Sequence, residues 1–528
     1  MEDLLLPYQA KILEYVQTKT FLNKKLLLLY METGTGKTLT SLVSAISLLE
    51  RKLVKRIVLL SPKSIQNEFI GQFIMYCKMV DPTMSDSKKQ MKLGLIKSKI
   101  LTVCYNSNKT LEYFNSLSWH DETVYIVDEA HLFLKSIIKA NIPEDKNDPN
   151  YNENAGQCLK IYEKMKKLKK SFFLFLTGTP SAKTPFELVP MFNLIRLGFP
   201  ESVGIFMEQY FTDTSINPKV IKELRNKLEG LVVYVKGDNS SQNLKTKPLE
   251  EVEVEMSTQQ YKQYLEDLKQ EFAENGYTKS VNKFGWGFGQ ISSFHAKSFG
   301  DSIIVPDKQG NINSKTAPKI VKMYEDTEKI VGKVCFYFRF TEKGVDTMRR
   351  YLESKGYTIA GNNYDEIFNK TGKHFICFTG NEPMNVKYNH LKAFNEKMNA
   401  YGEYIKYILL SPSGSVGINL FAIRFLGIGS VEYNYSNIRQ IMGRCNRVYS
   451  HMQLPENDRK LDNKIYIATK NKAYCKKNKN ELKEWYTRLA PNHNEEFPSI
   501  ERCIYQDSIE DDKLNEVMRE FLRDMSII

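Results

Sequence analysis

The sequence predicts an α/β protein with two units in series, each built on a parallel sheet. In the first half, short apolar runs recur and each ends in small or polar residues, which is typical of strands that are covered on both faces. These runs are Leu26–Tyr30, Arg56–Leu60, Thr123–Val127 and Ser171–Leu176. After the first run, apolar residues recur at helical spacing, at Leu39, Leu42, Val43, Ile46 and Leu49. Strands that alternate with helices indicate parallel connections.

A second series of strand-like runs begins near residue 314. Its members are Lys333–Phe338, His374–Thr379, Tyr404–Leu410, Arg424–Ile428 and Lys464–Ala468. Between the two series the apolar runs give way to amphipathic helical stretches. We therefore predict a first lobe at residues 1–200, a helical insert at 201–313, a second lobe at 314–474 and a helical tail at 475–528.

The chain has 528 residues, and its 75 Lys and Arg against 62 Asp and Glu give a formal net charge of +13. That excess permits a polyanionic partner but is equally consistent with solubility alone. The eight cysteines include no Cys-x-x-Cys pair, which argues against a disulfide framework and a cysteine-based zinc site. The acidic start and the longest apolar run, Leu26–Met31, predict neither a signal sequence nor a membrane span. We expect a reducing compartment, cytosolic or nuclear.

A phosphate-binding loop is predicted at the end of the first strand. Glycines let backbone N–H groups converge on an anion at a helix N-terminus. There Lys37 can reach the terminal phosphates of a nucleotide, and the Thr38 hydroxyl can ligate Mg²⁺. The alternative is a glycine turn that only joins the strand to the helix. The predicted nucleotide contacts in the loop are Met31, Glu32, Thr33, Gly34, Thr35, Gly36, Lys37 and Thr38.

Two carboxylates follow the third apolar run, in the tetrapeptide Asp128-Glu129-Ala130-His131. Ligands bind at the carboxyl ends of strands in open α/β sheets, so both side chains are expected at a ligand site. Asp128 is predicted to hold Mg²⁺, and Glu129 to orient and deprotonate the water that attacks the γ-phosphorus. Alternatively, the acidic pair only stabilises a helix N-terminus.

Two arginines of the second series are predicted to share one helical face. Gln440, Gly443, Arg444 and Arg447 are spaced at i, i+3, i+4 and i+7, and apolar residues occupy the opposite face. Together with Gln440, Arg444 and Arg447 are candidate catalytic residues, because arginine fingers neutralise the charge that develops on a transferring phosphoryl group. A surface helix that merely carries arginines is the alternative.

Taken together, these segments resemble the ordered motifs of superfamily 2 helicase-like ATPases, with the acidic pair as a DEAH box. The sequence also contains Leu176-Thr177-Gly178-Thr179-Pro180 and Ser413-Gly414-Ser415-Val416-Gly417-Ile418-Asn419-Leu420 in the expected order. Three further segments resemble the nucleoside triphosphatase I proteins of poxviruses and related large cytoplasmic DNA viruses, which are Snf2-like DNA-dependent ATPases: Phe394-Asn395-Glu396, Asn399–Glu403, and Arg439–Arg459 with Ser450-His451. The resemblance covers roughly residues 1 to 470.

The resemblance implies two RecA-like P-loop lobes that use ATP and Mg²⁺. Gln9 would belong to a glutamine motif that contacts adenine, and Gly417 would face the nucleotide from the second lobe. Thr177 and Thr179 would link hydrolysis to lobe movement. Two alternatives stay open: Gln9 as an ordinary surface side chain, and the Thr-Gly-Thr-Pro segment as ordinary turn chemistry.

Nucleic-acid contacts are implied at strand ends, where loop donors would hold the phosphates of the strand. A lone loop lysine is more often a solvated charge, and the aromatic cluster Gly285–Phe288 beside Lys283 is explained better by core packing than by base stacking. The strand-end candidates are Pro62-Lys63-Ser64, Tyr105-Asn106, Arg339 and Ser411–Ser413.

The implied function is a motor that hydrolyses ATP to move on nucleic acid, with DNA favoured over RNA. Lys37, Glu129 and Arg447 are then expected to face a common cleft. By resemblance, the motor would release transcripts in early viral transcription, with a viral RNA polymerase as partner and the virion and host cytoplasm as its location. The alternatives are a small-subunit-type viral early transcription factor whose ATPase is a switch, and an RNA helicase. The second lobe disfavours a metabolic kinase, which has no need of it.

Overall fold

The computed structural model describes both predicted series. The described residues are 5–32, 34–62, 69, 71–74, 76, 86–105, 107, 121–140, 153–181, 183–237, 244–275, 311–369, 371–412, 418–447, 449–480, 482 and 499–528. They divide into two compact units, Met1–Asp238 with Asp511–Ile528, and Asn239–Glu510. In these segments, no helix combines the length and the hydropathy that a bilayer span requires.

The first unit is built on a parallel sheet of β1 Leu26–Met31, β2 Arg56–Ser61, β3 Ile100–Cys104, β4 Thr123–Val127, β5 Phe172–Thr177 and β6 Val232–Val235. The strand order is β3-β2-β4-β5-β1-β6, and each pairing is parallel. The predicted strands are confirmed to within one residue at either end. The helices are α1 Pro7–Tyr15, α2 Lys19–Lys24, α3 Lys37–Glu50, α4 Asp86–Lys97, α5 Ala130–Ala140, α6 Glu153–Met165, α7 Val189–Asn193, α8 Val203–Tyr210 and α9 Ile221–Leu228.

The central strands β1, β4 and β5 are continuous apolar runs because the sheet is covered on both faces. Each of their residues is buried. Leu28 packs in a core cluster with Phe133 of α5, whereas its neighbour Leu29 packs in another with Leu42 of α3. Successive strand residues point to opposite faces, so both layers of helices draw on the same run.

The second unit is built on a parallel sheet of β7 Lys245–Glu255, β8 Lys333–Tyr337, β9 Thr358–Ile359, β10 His374–Phe378, β11 Tyr407–Leu410, β12 Ile423–Ile428 and β13 Lys460–Thr469. The strand order is β7-β13-β12-β8-β11-β10-β9, with parallel pairings. All five predicted strands are present, although β11 begins three residues later and β13 four residues earlier than predicted. The helices are α10 Thr258–Asn275, α11 Pro318–Glu328, α12 Asp346–Ser354, α13 Tyr364–Phe368, α14 Met384–Asn395, α15 Tyr435–Cys445 and α16 Lys472–Lys477.

The predicted helical insert, residues 201–313, is divided between the two units. Its first part carries α8, α9 and β6, and β6 pairs with β1 in the first sheet. Its middle part carries β7, which pairs with β13 in the second sheet. Most of β7 is exposed, with charged residues around a few half-buried apolar ones. An edge strand of this kind lacks the apolar run that marks a central strand, so the sequence pattern does not predict it.

The predicted tail from residue 475 contains a long helix, α17 Ile500–Asp524, whose two halves belong to different units. In the second unit, Glu501 pairs with Lys319 at 2.8 Å and accepts a hydrogen bond from the N–H of Ala468. Both charged side chains are buried, so each needs the opposite charge of the other to offset its loss of hydration. In the first unit, Met518 and Leu522 join the hydrophobic core. Within the predicted tail, α17 is therefore part of the folded units.

His451 in the second unit is buried as a neutral ring. Its Nε2 donates to the carbonyl oxygen of Ile423 at 2.7 Å, and its Nδ1 lies 2.8 Å from the Ser450 hydroxyl. Burial lowers the pKa of His451 from 6.5 to about 4. As the pH falls below the ordinary pKa of histidine, His451 is therefore protonated in the unfolded chain while it stays neutral in the folded chain.

We expect this histidine to cost stability in acid. Because its folded pKa is the lower one, its contribution is constant above pH 7 and falls by about 3 kcal/mol between roughly pH 6.5 and pH 4. Urea unfolding across that range measures the loss, and His451→Gln should flatten this part of the profile. An equally steep profile in the variant would assign the acid sensitivity to other groups.

Candidate functional site

The predicted phosphate loop has the backbone of an anion-binding turn. Gly34 and Gly36 have φ of 87° and 74°, in the left-handed region that glycine adopts without strain. Gly36 is the N-cap of α3, which begins at Lys37, and Thr38 in its first turn is buried. The first N–H groups of a helix lack intrahelical acceptors, so they and the helix dipole favour a phosphate here.

Glu32 in this loop is bound toward β6. One of its carboxylate oxygens accepts a hydrogen bond from the Tyr234 hydroxyl at 2.8 Å, and the other accepts one from the N–H of Gly237 at 3.0 Å. Burial and the bond to Glu32 raise the pKa of Tyr234 above its usual value, which keeps the phenol a neutral donor. The sequence predicts Glu32 as a nucleotide contact, but its carboxylate is engaged on the β6 side.

Helix α1 packs against the phosphate loop through Tyr8 and Gln9. The Tyr8 hydroxyl donates to the carbonyl oxygen of Thr35 at 2.8 Å. Gln9 is 4% exposed; its Oε1 accepts from the N–H of Leu6 at 3.0 Å, and its Nε2 donates to the Thr40 hydroxyl at 3.2 Å. Gln9 is therefore not an ordinary surface side chain. Its amide ties α1 to α3 beside the loop.

Asp128 and Glu129 leave the carboxyl end of β4. Asp128 is 4% exposed, and its Oδ1 accepts the N–H of Glu129 at 2.9 Å. Glu129 has φ of 47°, a left-handed conformation that is strained in a residue other than glycine and recurs at functional sites. Its Oε2 lies 3.5 Å from Nδ1 of His131. Because α5 begins at Ala130, the acidic pair also stands at a helix N-terminus.

His131 connects the acidic pair to the segment after β5. Its Nδ1 is 3.1 Å from the hydroxyl oxygen of Thr177, which also accepts the N–H of Thr179 at 3.0 Å. His131 and Thr177 are both buried, and hydrogen bonds are electrostatically stronger away from water. A chain of contacts thus runs from Glu129 to the Thr-Gly-Thr-Pro turn within the first unit.

The phosphate loop, the acidic pair and Thr177 lie at the same edge of the first sheet. Strand β5 separates β1 from β4, with Thr177 paired to Tyr30 of β1 and Phe175 to Val127 of β4. Two strand spacings amount to roughly 10 Å. Since all three strands are parallel, the residues that follow them emerge side by side, at the edge where open α/β sheets bind ligands.

The oxygen donors at this edge fit Mg²⁺. The Thr38 hydroxyl and the Asp128 carboxylate are both buried. Hard oxygen ligands are those that Mg²⁺ prefers, and it commonly binds through one or two protein oxygens together with water and substrate phosphates. Thr38 and Asp128 would therefore hold the ion that accompanies a nucleotide.

In the second unit, α15 ends at Cys445, two residues before Arg447. Gln440 and Arg444 lie on the helix, so the prediction of one helical face is wrong for Arg447. Arg444 is 9% exposed, and its Nη1 lies 3.5 Å from the carbonyl oxygen of Ile418. Arg444 thus also packs within its own unit, whereas Arg447 is half-buried beyond the helix end.

The side chains of three strand-end candidates for nucleic-acid contact are buried, so contact at these positions would have to use the backbone or the neighbouring loop residues. Pro62, Tyr105 and Ser411 are all enclosed, and Tyr105 packs against the ring of Phe133. A strand crossing the surface cannot reach these side chains. Other predicted residues lie outside the described part of the chain: Thr33, Lys63, Ser64, Asn106, Lys283, Gly285–Phe288, Ser413 and Gly417.

Arg339, another candidate, is engaged inside the second unit. Its Nη1 bonds to the buried carboxylate of Glu432 at 2.5 Å, and its guanidinium lies 4.5 Å from the ring centre of Tyr433. Glu432 also accepts the hydroxyl of Tyr337 at 2.7 Å. A phosphate would have to compete with this pairing, so the geometry favours a structural role for Arg339.

The chain is similar to helicase-type ATPases over most of its length. A family model described as "Type III restriction enzyme, res subunit" matches residues 3–182, and one described as "SNF2-related domain" matches residues 154–298. A "Termination factor NPH-I homolog" of African swine fever virus is 26% identical over 567 positions, covering 96% of this chain and 76% of the relative. "Nucleoside triphosphatase I" of Melanoplus sanguinipes entomopoxvirus is 23% identical and covers 84% and 70%.

Among solved structures, the "Sulfolobus solfataricus SWI2/SNF2 ATPase core in complex with dsDNA" aligns at 16% identity with a TM-score of 0.33, covering 99% of this chain and 97% of that one.

The matched models and relatives define the class of the protein: it is an ATP hydrolase of the helicase type. The chain is similar to Snf2-related ATPases of superfamily 2, and its viral relatives confirm the resemblance to nucleoside triphosphatase I proteins that the motifs predict. The two parallel-sheet α/β units confirm the predicted fold class. A nucleoside triphosphate is therefore the substrate.

Proposed function

We propose that the protein is a DNA-dependent translocase that acts in the termination of viral transcription. The observation that carries the proposal is the convergence of the phosphate loop, Asp128, Glu129 and Thr177 on one sheet edge, with His131 joining the last two. An ATP site linked to a Thr-Gly-Thr-Pro turn suits an ATPase whose hydrolysis drives movement. The names of the relatives, a termination factor among them, support the choice of process.

The residues of the first unit have distinct tasks in this proposal. The loop N–H groups and Lys37 bind the β- and γ-phosphates, while Thr38 and Asp128 hold Mg²⁺, which neutralises phosphate charge when bound. Glu129 orients the attacking water and takes its proton. His131 contacts both side chains, so it transmits the protonation of Glu129 to Thr177. Arginines of the second unit would then stabilise the transition state once the lobes close, so hydrolysis would depend on lobe movement.

The proposed partners are DNA and a viral RNA polymerase, in the virion and the host cytoplasm. The process suggests a polymerase, because transcript release acts on a transcribing complex. The second candidate is a promoter-binding early transcription factor whose ATPase acts as a switch, and the third is an RNA helicase. Site-specific DNA binding without translocation would favour the factor, whereas stimulation by RNA alone would favour the helicase.

Hydrolysis is expected to be stimulated by DNA by about 10³-fold or more, because the arginine finger is engaged only when the lobes close on DNA, and to be lost when Lys37 is replaced. Lys37→Ala removes a charged donor from the phosphates, so kcat/KM should fall by about 10²-fold or more, with and without DNA. Steady-state assays with single-stranded DNA, duplex DNA and RNA measure both effects. Lys19→Ala, which changes an exposed lysine of α2, is the control and should behave as wild type.

Unstimulated hydrolysis with every nucleic acid would contradict the motor. Hydrolysis that survives Lys37→Ala would contradict the site itself. Translocation is tested separately by displacement of a protein block from duplex DNA, which the motor should achieve with ATP and which a promoter-bound switch should not.

A further inference from the structure

The phosphate loop contains a carboxylate, Glu32, directly after the buried end of β1. A negative charge in an anion-binding loop opposes the phosphates that the loop must hold. The Tyr234 hydroxyl at 2.8 Å and the Gly237 N–H at 3.0 Å bind this carboxylate on the β6 side. Strand β6 flanks β1 opposite β5, which leads to Thr177. The charge of Glu32 is therefore held on the side away from the acidic pair and Thr177.

Tyr234 is held in turn by the C-terminal segment of the chain. The guanidinium of Arg523 in α17 lies 5.4 Å from the ring centre of Tyr234, and its Nη2 donates to the Tyr30 hydroxyl at 3.0 Å. The rings of Tyr30 and Tyr234 are 4.9 Å apart. The Ser526 hydroxyl accepts the N–H of Tyr234 at 2.8 Å. Both strands that border Glu32 are thus fixed by residues near the end of the chain.

A second arginine of α17 reaches the other nucleotide-site loop. Arg519 is 2% exposed, and its Nη1 donates to the carbonyl oxygen of Ser181 at 3.0 Å, just after the Thr-Gly-Thr-Pro turn. Its charge is balanced by Asp512 at 2.6 Å and Glu516 at 2.8 Å. Helix α17 therefore contacts residues beside two loops that the sequence assigns to ATP hydrolysis, the phosphate loop and the Thr-Gly-Thr-Pro turn.

We propose that Tyr234 and Arg523 are positioning residues for ATP, an inference that rests on the ATP site proposed above. They keep the Glu32 carboxylate on the β6 side, so that the loop N–H groups and Lys37 meet the phosphates without a competing negative charge. When the phenol hydroxyl is removed, Glu32 retains only the Gly237 N–H among the donors that the described residues supply, and it gains freedom to turn toward the bound anion. The cost falls on ATP binding rather than on the chemical step, because neither residue contacts Glu129.

The test compares Tyr234→Phe, Arg523→Ala and Arg523→Lys in the full chain. Tyr234→Phe and Arg523→Ala should raise the KM for ATP, and the Kd of a fluorescent ATP analogue, by about threefold to tenfold while kcat stays within about twofold. Arg523→Lys keeps the cation and should restore most of the affinity. Arg225 of α9 is the matched control, because its guanidinium lies 5.2 Å from the ring centre of Phe521, which is on α17 with Arg523. Arg225→Ala should leave both constants unchanged.

Unchanged KM and Kd in Tyr234→Phe would overturn the inference. An equal loss of ATP affinity in Arg225→Ala would also overturn it, and so would a loss of affinity that merely follows a lower Tm. Tyr234→Phe keeps the aromatic ring, so it remains informative if Arg523→Ala does not fold. Lys37→Ala separates the two proposals: loss of hydrolysis there, with wild-type behaviour in Tyr234→Phe, would remove only the positioning role.

Discussion

Replacing Glu129 by glutamine is expected to lower kcat for ATP hydrolysis by about 10²- to 10⁴-fold while ATP is still bound. Glutamine matches glutamate in shape and can still meet His131, but an amide cannot take the proton of the attacking water. Asp128 and Lys37 are untouched, so the affinity for ATP should change only a few-fold. Single-turnover hydrolysis and equilibrium nucleotide binding separate the two effects.

Glu122 offers the matched control for this substitution. It too is a glutamate with a left-handed backbone, at φ of 69°, but it precedes β4, at the opposite end of the strand, and pairs there with Lys55. Glu122→Gln should therefore leave kcat unchanged. A Glu129→Gln enzyme that keeps more than about a tenth of the wild-type kcat would contradict the assignment of Glu129 as the base.

The central strands and the phosphate loop could be predicted because their signals are local. Leu26–Met31 is apolar throughout since both faces of β1 are covered, and Gly34 and Gly36 are required where φ is positive. The position of Asp128 follows from the same logic, because a parallel strand must end in a loop at the ligand edge. Periodicity and turn chemistry are sufficient for these features.

The end of α15 could not be predicted in this way. The helical spacing of Gln440, Arg444 and Arg447 continues past Cys445, but Asn446 has left the helical region, with φ of −121° and ψ of 68°. Asparagine is among the residues that can satisfy backbone groups outside a helix, and the sequence alone does not indicate which of several polar residues ends it. The end of this helix determines the orientation of Arg447, a candidate catalytic arginine.

The sequence pattern also could not predict contacts between distant parts of the chain. Tyr234 lies 202 positions from Glu32, and Arg523 lies 493 positions from Tyr30. Each of these residues alone is an unremarkable tyrosine, glutamate or arginine, and only the β1–β6 pairing and the docking of α17 bring them together. Helical periodicity predicts that α17 has an apolar face, but not which core receives it.

Replacing Arg447 by alanine is expected to lower kcat by about 10³- to 10⁵-fold in the presence of DNA, with little change in ATP affinity. An arginine finger binds the charge that develops on the transferring phosphoryl group, so its loss raises the barrier more than it weakens the ground state. Arg444 is 9% exposed and packs against Ile418, so Arg444→Ala would combine catalytic and structural losses.

Arg447→Lys and Arg439→Ala complete the comparison. Lysine keeps the charge but lacks the planar guanidinium group. The kcat of Arg447→Lys should therefore stay within about tenfold of that of Arg447→Ala if the contact is bidentate. Arg439, on α15 and 5.3 Å from the ring centre of Tyr435, is the control and should retain wild-type hydrolysis. A kcat within about tenfold of wild type in Arg447→Ala would contradict the finger.

The role of Arg447 can also be tested by comparing hydrolysis with and without DNA. If lobe closure on DNA delivers Arg447 to the γ-phosphate, the slow hydrolysis without DNA does not use the guanidinium, and Arg447→Ala should abolish the stimulation while sparing most of the basal rate. An equal loss with and without DNA would instead mean that Arg447 acts at every turnover. Hydrolysis would then not be gated by the nucleic acid, which is the property that separates a translocase from a constitutive ATPase.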